Sequence, residues 1–274
     1  MSEQKKAAYS VLMSVYEKET AENLRQSVES IFAQTVLPSE FVLVIDGKIG
    51  PQLQNEVSAL SQKFMIKEVY LPQNVGLGPA LNAGFKHCTN EIVARMDSDD
   101  IAMPQRIEKQ LKLMEQTGAD IVSCAVCEFE GSVDNVTATK TVPQTHEEIM
   151  QYLRRRNPFN HPAVVYKKSV IISLGSYNDY KFFEDYELFA RALSRGFKGA
   201  NLKEPLLYMR AGDAMYNRRG GRQYVSCIRR FYKKMECLGL CSKKDKLLCV
   251  FPRIIIALAT SFLRRFVYKM LLRG

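Results

Sequence analysis

Residues 91–100 of the chain are Glu91-Ile92-Val93-Ala94-Arg95-Met96-Asp97-Ser98-Asp99-Asp100. The largely apolar first part of this stretch predicts a buried strand that stops at the aspartates. In an extended segment, residues two apart point to the same side, so Asp97 and Asp99 can both face one cation. Taken alone, the motif leaves a second interpretation open, in which the aspartates only terminate the strand and cap the helix that begins near Pro104.

Strand-like and helix-like segments alternate along the chain around this stretch. The predicted strands are Tyr9–Val15, Phe41–Ile45, Ile66–Leu71, Glu91–Met96 and Ile121–Phe129. The predicted helices are Glu22–Gln34, Gln52–Phe64, Gly78–His87 and one that begins near Pro104. This alternation is typical of βαβ units, and it predicts an α/β fold with a mostly parallel central sheet flanked by helices.

Polar side chains collect at the ends of four predicted strands. They are Tyr16-Glu17, Asp46, Asn74 and Asp97-Ser98-Asp99. Ligands of parallel sheets bind at the carboxyl ends of the strands, so these side chains predict a binding site at that edge. Carboxylates are the ligands that Mg²⁺ or Mn²⁺ uses together with substrate phosphates, and such a cation neutralises charge on a departing diphosphate.

Glu184 and Asp185 form a second acidic pair, just ahead of a helical apolar stripe. Carboxylates at a helix start also complement the helix dipole, which is the simpler explanation. The functional interpretation makes one of them a general base that takes a proton from an acceptor hydroxyl. Neighbouring aromatic side chains, such as Phe183 and Tyr186, would exclude water and raise the pKa of a carboxyl group.

Three further candidates have ordinary explanations beside functional ones. The glycine-bearing loop Asn74–Asn82 either approaches a nucleotide or makes a tight turn. Arg218 and Arg219 lie in a basic, glycine-containing segment that either closes over a diphosphate or forms a solvated linker. His161 is either structural or lines the acceptor or donor pocket.

Charge is distributed unevenly along the 274 residues. Residues 1–214 carry 24 Lys+Arg against 27 Asp+Glu, whereas residues 215–274 carry 15 against 2. The excess of +10 therefore comes from the C-terminal part, and a nucleic-acid partner is not expected. We expect a catalytic domain at 1–212 and a basic helical extension at 213–274. The seven scattered cysteines and the polar start, which has no apolar signal segment, predict a cytoplasmic protein.

Residues 253–273 predict an amphipathic helix with a basic face. Ile255, Ile256 and Phe262 are on its apolar side, and Arg264 and Arg265 are mostly opposite. The apolar run is short for a bilayer span, so the pattern favours a helix that lies in an anionic membrane surface. Packing on the body or on a second subunit is the alternative. A peripheral position on the inner face of the cell membrane would suit a lipid-linked acceptor.

Several motifs together resemble one family. They are Ser10–Tyr16, Val44-Ile45-Asp46-Gly47, Asn74-x-Gly76, Ala94–Asp100, Asn160-His161-Pro162 and Glu184-Asp185. They occur in the order seen in inverting family-2 glycosyltransferases, and they are most similar to the bacterial exopolysaccharide branch of amylovoran-type transferases. The resemblance covers roughly residues 8–212.

The resemblance implies a fold, a site and a reaction. The fold is that of nucleotide-diphospho-sugar transferases, the GT-A type. The implied donor-binding residues are Ser14, Tyr16, Glu17, Asp46, Asn74, Gly76, Arg95, Asp97, Arg218 and Arg219. Asp46 would accept a hydrogen bond from uracil, Asp99 would bind Mg²⁺ or Mn²⁺ beside Asp97, and Asp185, with Glu184 next to it, would act as the base. His161 is assigned to the acceptor side.

The expected activity is transfer of a single sugar from a UDP-sugar to a lipid-linked saccharide, with inversion, in bacterial surface polysaccharide synthesis. Processive relatives carry a Gln-x-x-Arg-Trp signature, and this chain has no tryptophan. Two other functions are alternatives: a sugar-nucleotide-forming nucleotidyltransferase, which usually has a glycine-rich loop after its first strand, and a non-catalytic membrane adaptor. A glycosidase would not explain the polar strand ends.

Overall fold

A computed structural model describes residues 8–211 and 220–258 of the chain. The strands are β1 (Tyr9–Val15), β2 (Glu40–Asp46), β3 (Lys67–Leu71), β4 (Ile92–Asp97), β5 (Ile101–Ala102), β6 (Ile121–Phe129), β7 (Val136–Lys140), β8 (Val165–Lys167) and β9 (Gly199–Arg210). The helices are α1 (Ala21–Phe32), α2 (Pro51–Phe64), α3 (Leu77–Phe85), α4 (Arg106–Thr117), α5 (His146–Leu153), α6 (Lys168–Ser173), α7 (Glu184–Ser194), α8 (Gly221–Cys237) and α9 (Lys243–Leu258). A 3₁₀ turn covers His161–Ala163.

One sheet runs through these residues in the order β3-β2-β1-β4-β8-β6-β9-β5, with β7 beside β6. The strands β3, β2, β1 and β4 are parallel to one another. Strand β8 is antiparallel to both β4 and β6, while β9 returns parallel to β6. The predicted α/β fold is therefore confirmed. Its parallel strands, β1 to β4, are the ones that alternate with helices in the sequence.

Two hydrophobic clusters cover the two faces of the sheet. Leu12 and Val44 point to the face that α3, α7 and α8 cover, whereas Met13 and Leu43 point to the face of α1, α2 and α4. Because both faces of β1 and β2 are buried, these strands are mainly apolar rather than alternating. Ser10, a buried polar residue inside β1, donates a hydrogen bond to Glu40.

Helix α8 packs against the body through stacked aromatic rings. The ring of Phe183 lies 5.8 Å from that of Tyr224 and 4.8 Å from that of Phe231. Phe231 also contacts Tyr186, at 4.4 Å. The helices after residue 220 thus contribute to the same hydrophobic cluster as α3 and α7. The predicted boundary at residue 212 falls at the undescribed residues 212–219, and the division into two domains stays a prediction.

Helix α9 has one buried and one exposed side. Cys249 and Ala257 are buried, while an apolar stripe on the other side is exposed by more than half of each side chain. This stripe consists of Leu247, Leu248, Phe251, Ile255 and Leu258. The predicted helix at 253–273 is thus seen as far as Leu258, and its remainder lies outside the described residues. Within the described part of the chain, no helix has the length and apolarity needed to cross a bilayer.

Candidate active site

The parallel pairing brings the predicted polar strand ends to one edge of the sheet. Ser14 pairs with Asp97 across β1 and β4, and Val15 pairs with Ile45 across β1 and β2. Asp46, the last residue of β2, pairs with Leu71 of β3. The side chains that follow these strands therefore leave the sheet on the same side, as the strand-end rule predicts.

Asp97, Asp99 and Asp100 form a compact acidic cluster after β4. Carboxylate oxygens of all three lie within 4.8 Å of one another. Asp97 and Asp99 are partly exposed, and Asp100 is buried. The sequence motif pointed to the first two residues. Asp100 is an addition that the spacing alone did not indicate.

The chemistry of this acidic cluster suits a divalent cation. Burial, together with the charges of Asp97 and Glu19, raises the pKa of Asp99 to about 7. Burial also raises the pKa of Asp100, whose Oδ2 is buried without a hydrogen-bond partner in the described structure. Crowded carboxylate oxygens with unused acceptor capacity are ligands that Mg²⁺ and Mn²⁺ favour.

Arg95 fixes the carboxylate of Asp97 from within the sheet. Its side chain is only 1% exposed, and both of its terminal nitrogens donate to Asp97, with 3.0 Å between Nη1 and Oδ2. Burial, the largest single influence, lowers the pKa of the Arg95 guanidinium, but Asp97 together with Tyr177, Tyr166 and Asp100 raises it above its usual value. A forked pair of this kind sets the orientation of Asp97 as well as its charge.

Arg210, the last residue of β9, holds the other side of the acidic cluster. Its backbone N–H donates to Oδ1 of Asp100 at 2.8 Å, and its Nε donates to the carbonyl oxygen of Asp99 at 3.1 Å. Sequence reasoning missed Arg210, because no local motif surrounds it. Arg218 and Arg219, the predicted basic loop residues, lie outside the described residues.

Asp46 fastens the loop that follows β3. Its two carboxylate oxygens accept hydrogen bonds from the backbone N–H groups of Val75, at 2.8 Å, and Gly76, at 3.0 Å. Nδ2 of Asn74 donates to the carbonyl oxygen of Asp46 at 3.3 Å. Asp46 is 3% exposed. Its hydrogen bonds bring three predicted donor-binding residues together, namely Asp46, Asn74 and Gly76. Contact with a nucleoside stays a prediction.

The loop after β1 reaches the acidic cluster through Glu19. Oε2 of Glu19 accepts a hydrogen bond from the Ser98 hydroxyl at 2.8 Å, and the Glu19 N–H donates to the carbonyl of Tyr16 at 3.0 Å. Ser14 and Tyr16 are partly buried here, and Glu17 is exposed. Glu19 is another residue that sequence reasoning missed.

Glu184 and Asp185 begin α7, where their charges complement the helix dipole. Burial and the charge of Asp185 raise the pKa of Glu184 to about 7. Arg95 lowers and Asp97 raises that same pKa, so the start of α7 lies within electrostatic reach of the end of β4. A Cβ placed on Gly78 would lie 3.7 Å from that of Glu184, which puts α3 beside the pair as well.

The carboxylate of Asp185 is held in a defined orientation. Its Oδ2 accepts a hydrogen bond from Nδ2 of Asn157 at 2.7 Å, and its Oδ1 accepts one from the N–H of Tyr186 at 2.7 Å. Asn157 was not among the predicted site residues. Its amide positions a carboxylate oxygen in the way that a base needs for proton transfer.

His161 is buried rather than exposed on an open surface. It is 8% exposed, and its Nε2 is 2.8 Å from the hydroxyl of Tyr177, which is 3.4 Å from that of Tyr166. Burial, and then the charge of Arg95, lowers the pKa of His161 well below its usual value. The ring is therefore neutral, and its assignment to the acceptor side stays a prediction.

The fold and the site define a class of enzyme, the glycosyltransferases with a GT-A fold. The chain superposes on the mannosyltransferase PcManGT of Pyrobaculum calidifontis, solved in complex with GDP-Man and Mn²⁺, with a TM-score of 0.65. That match has 15% sequence identity and covers 96% of this chain and 75% of the other, so it concerns the fold alone. The model of Glycosyl transferase family 2 matches residues 10–180, and the chain belongs to this family.

Two relatives agree with the predicted branch of the family. The amylovoran biosynthesis glycosyltransferase AmsE of Erwinia amylovora is 41% identical over 226 residues, which are 82% of this chain and 84% of that protein. A UDP-Gal:alpha-D-GlcNAc-diphosphoundecaprenol beta-1,3-galactosyltransferase of Escherichia coli is 35% identical over 267 residues, 97% of this chain and 96% of that protein. The predicted family and enzyme class, and the resemblance to the exopolysaccharide branch, are confirmed.

Proposed function

We propose that the protein transfers one sugar from a UDP-sugar, with inversion, to a hydroxyl of a lipid-linked saccharide in the synthesis of a bacterial surface polysaccharide. The observation that carries this proposal is the meeting of two acidic groups from distant parts of the chain. Asp97 ends strand β4 with Asp99 next to it in the acidic cluster, and Glu184-Asp185 begin a helix within electrostatic reach of Asp97.

The choice of substrates is supported by the relatives. The Escherichia coli relative is named for UDP-Gal as donor and for a diphosphoundecaprenol-linked GlcNAc as acceptor. It aligns over 97% of this chain, including α8 and α9, so the C-terminal helices are shared as well. A nucleoside-diphosphate sugar and a lipid-linked saccharide are therefore the substrate classes that we propose.

Mg²⁺ or Mn²⁺ is the proposed cofactor, with Asp99 and Asp97 as its ligands and Asp100 beside them. The unpartnered Oδ2 of Asp100 and the raised pKa of Asp99 both fit a site that a cation neutralises. When bound, such a cation supplies positive charge that stabilises the departing nucleoside diphosphate.

The surrounding residues bind and orient the donor. Arg95 keeps Asp97 turned toward the edge of the sheet, and Arg210 anchors Asp99 and Asp100. Asp46 holds the loop of Asn74 and Gly76 against the end of β2. We propose that these loops contact the donor together with Ser14, near the end of β1, and with Tyr16 and Glu17, which follow it. The proposed contact of Arg218 and Arg219 with the diphosphate concerns residues outside the described ones.

Asp185 is the proposed base for a single displacement. Its carboxylate takes the proton of the acceptor hydroxyl as the new bond from that oxygen to the anomeric carbon forms and the bond from this carbon to the diphosphate oxygen breaks. Attack from the face opposite the leaving group inverts the anomeric centre, and the nucleoside diphosphate leaves with the bonding electrons. Asn157 keeps the Asp185 carboxylate oriented.

We also place the protein on the inner face of the cell membrane. The apolar stripe of α9 is flanked by Lys243, Lys244 and Lys246, with Asp245 as the one acidic residue of that helix. An amphipathic helix with basic residues binds anionic lipid through both its apolar area and its charge. The membrane surface is also where a lipid-linked acceptor must be met.

Purified enzyme tests this function directly. We expect release of UDP from a UDP-sugar only when a saccharide linked to a polyprenyl diphosphate is added, and formation of one new β- or α-linkage opposite in configuration to the donor. Asp185→Asn should lower turnover by at least a hundredfold while donor binding, measured by calorimetry, is retained. Unchanged turnover in Asp185→Asn would remove Asp185 as the base.

A further inference from the structure

A cleft beside the segment that leads into α7 has no role in the reaction described above. It lies between the loop ahead of α7 and the exposed side of α8, and its volume is about 240 Å³. The residues that line it are Asp179, Tyr180, Lys181, Gln223, Cys227 and Arg230. We infer that this cleft binds the diphosphate group of the lipid-linked acceptor. The inference rests on the proposed function, because that function supplies an acceptor with a diphosphate.

Two cations of the cleft are held by aromatic rings rather than by carboxylates. The guanidinium carbon of Arg230 lies 4.4 Å from the centre of the Tyr180 ring, and Nζ of Lys181 lies 5.5 Å from that of Phe182. Neither cation takes part in an ion pair among the described residues. An aromatic ring orients a cation without neutralising it, so both charges stay available for an anion.

The helix side of the cleft is built to present its residues together. Gln223, Cys227 and Arg230 are spaced four and three residues apart on α8, which places them on one face of the helix. The aromatic contacts of Tyr224 and Phe231 fix the rotation of that helix on the body. An amide, a guanidinium and an ammonium group therefore converge on the cleft from two elements.

The backbone at Phe182 connects the cleft to the proposed base. Phe182 has a φ of +70°, a left-handed conformation that is unfavourable for a non-glycine residue. The turn is held by the N–H of Phe183, which donates to the carbonyl of Tyr180 at 2.7 Å, and by the contact of Phe182 with Tyr224. Strain that the surroundings enforce in this way often marks a functional segment.

The cleft lies on the chain segment that leads into the proposed base. Lys181 precedes Asp185 by four residues, and four residues of chain span at most about 14 Å. In the proposed acceptor the first sugar is bonded directly to the diphosphate, so that sugar would lie between the cleft and the start of α7.

Calorimetry with geranyl diphosphate tests the inference on full-length enzyme saturated with UDP and Mn²⁺, so that the donor site is occupied. We expect binding by the wild type and at least tenfold weaker binding by Lys181→Gln and by Arg230→Gln. Asp179→Asn, which removes the one negative charge of the cleft, should bind more tightly. Arg229→Gln, on the same helix but outside the cleft, is the matched control and should bind like the wild type.

Geraniol has the apolar chain of geranyl diphosphate but no charged group. It should therefore not compete with geranyl diphosphate for the cleft. Absence of geranyl diphosphate binding, or binding that neither cation variant weakens, would overturn the inference. All of the substituted side chains are exposed, so the variants should fold, and unchanged UDP binding checks this. Failure of UDP to bind the wild type would instead contradict the proposed function, and it is seen before geranyl diphosphate is added.

Discussion

Arg95 and Asp97, two residues apart on β4, form a forked ion pair across the boundary between the core and the site. The arginine side chain is 1% exposed and the aspartate side chain 35%. If Asp97 is removed, no water can reach the buried Arg95 in its place. The more exposed Asp97 can face a ligand on the side away from Arg95. The pair therefore couples the folding of the sheet to the orientation of a carboxylate in the site.

Replacing Arg95 tests this coupling. An ammonium group cannot reproduce the two parallel hydrogen bonds, so Arg95→Lys should lower the free energy of unfolding by on the order of 3 kcal/mol and weaken donor binding at least tenfold. Urea unfolding and calorimetry with a UDP-sugar measure the two effects. Lys63→Gln, which breaks an exposed ion pair with Glu29, should change stability by less than about 1 kcal/mol. Equal effects of the two substitutions would contradict the proposed role of Arg95.

The raised pKa of Glu184 predicts a pH-dependent stability. The unfolded chain loses the proton near the ordinary value of 4.5, whereas the folded protein keeps it up to about 7. Between these values the folded state binds more protons, so ionisation of Glu184 destabilises it as the pH rises. Glu184→Gln should therefore raise the free energy of unfolding by about 1–3 kcal/mol at pH 8 and by much less at pH 5.

Chemical denaturation at the two pH values measures this gain. Glu115→Gln on the exposed side of α4 is the control, and it should change the free energy of unfolding by less than about 0.5 kcal/mol at both. A Glu184→Gln variant that is less stable than the wild type at pH 8 would show that the carboxylate makes a favourable interaction instead.

The close approach of Gly47 to Asn74 predicts that a substitution in the turn after β2 weakens donor binding. Its φ is +85°, and a Cβ there would lie 2.5 Å from the backbone nitrogen of Asn74. Gly47→Ala must displace that loop, so it should weaken binding of a UDP-sugar in addition to destabilising the fold. Gly118→Ala is the control: its φ is +65°, no atom lies within 4 Å, and the cost should be only the left-handed conformation, about 1–2 kcal/mol. Donor binding that survives Gly47→Ala would separate this loop from the donor site.

The apolar stripe of α9 predicts membrane binding. Leu247→Ser, Phe251→Ser and Ile255→Ser together should abolish flotation with vesicles that contain phosphatidylglycerol, and the free energy of unfolding should hardly change because the three side chains are exposed. Leu37→Ser, at an exposed leucine of the body, is the control. Unchanged flotation would contradict the membrane proposal. A dimer that becomes a monomer in the triple variant would identify the stripe as a subunit interface.

The order of elements up to β6, apart from the two-residue strand β5, could be predicted because each of them is a continuous apolar run or has a clear helical period. Strand β1 was predicted at Tyr9–Val15 and β6 at Ile121–Phe129, as the structure has them. The later strands carry weaker signals: β8 has three residues, β7 is largely exposed, and β9 contains Lys203-Glu204-Pro205 within an irregular pairing. Their pairing with β4 and β6 depends on long-range packing that no local pattern records.

The site shows the same division. Acidic residues after a strand could be recognised from the sequence, because ligands of parallel sheets bind at the carboxyl ends of the strands. Glu19, Asn157 and Arg210 could not, since each acts on a residue far away in the sequence. Arg210 and Asp100, for example, are 110 positions apart and meet only when β9 joins the sheet.

The most direct test of the account is the dependence of sugar transfer on the acidic cluster and a divalent cation. UDP release from a UDP-sugar in the presence of a polyprenyl-diphosphate-linked saccharide should require Mg²⁺ or Mn²⁺ and stop when a chelator is added. Asp99→Ala should lower turnover at least a hundredfold while the melting temperature stays within a few degrees of the wild type. Full turnover in the chelator and in Asp99→Ala would contradict the account.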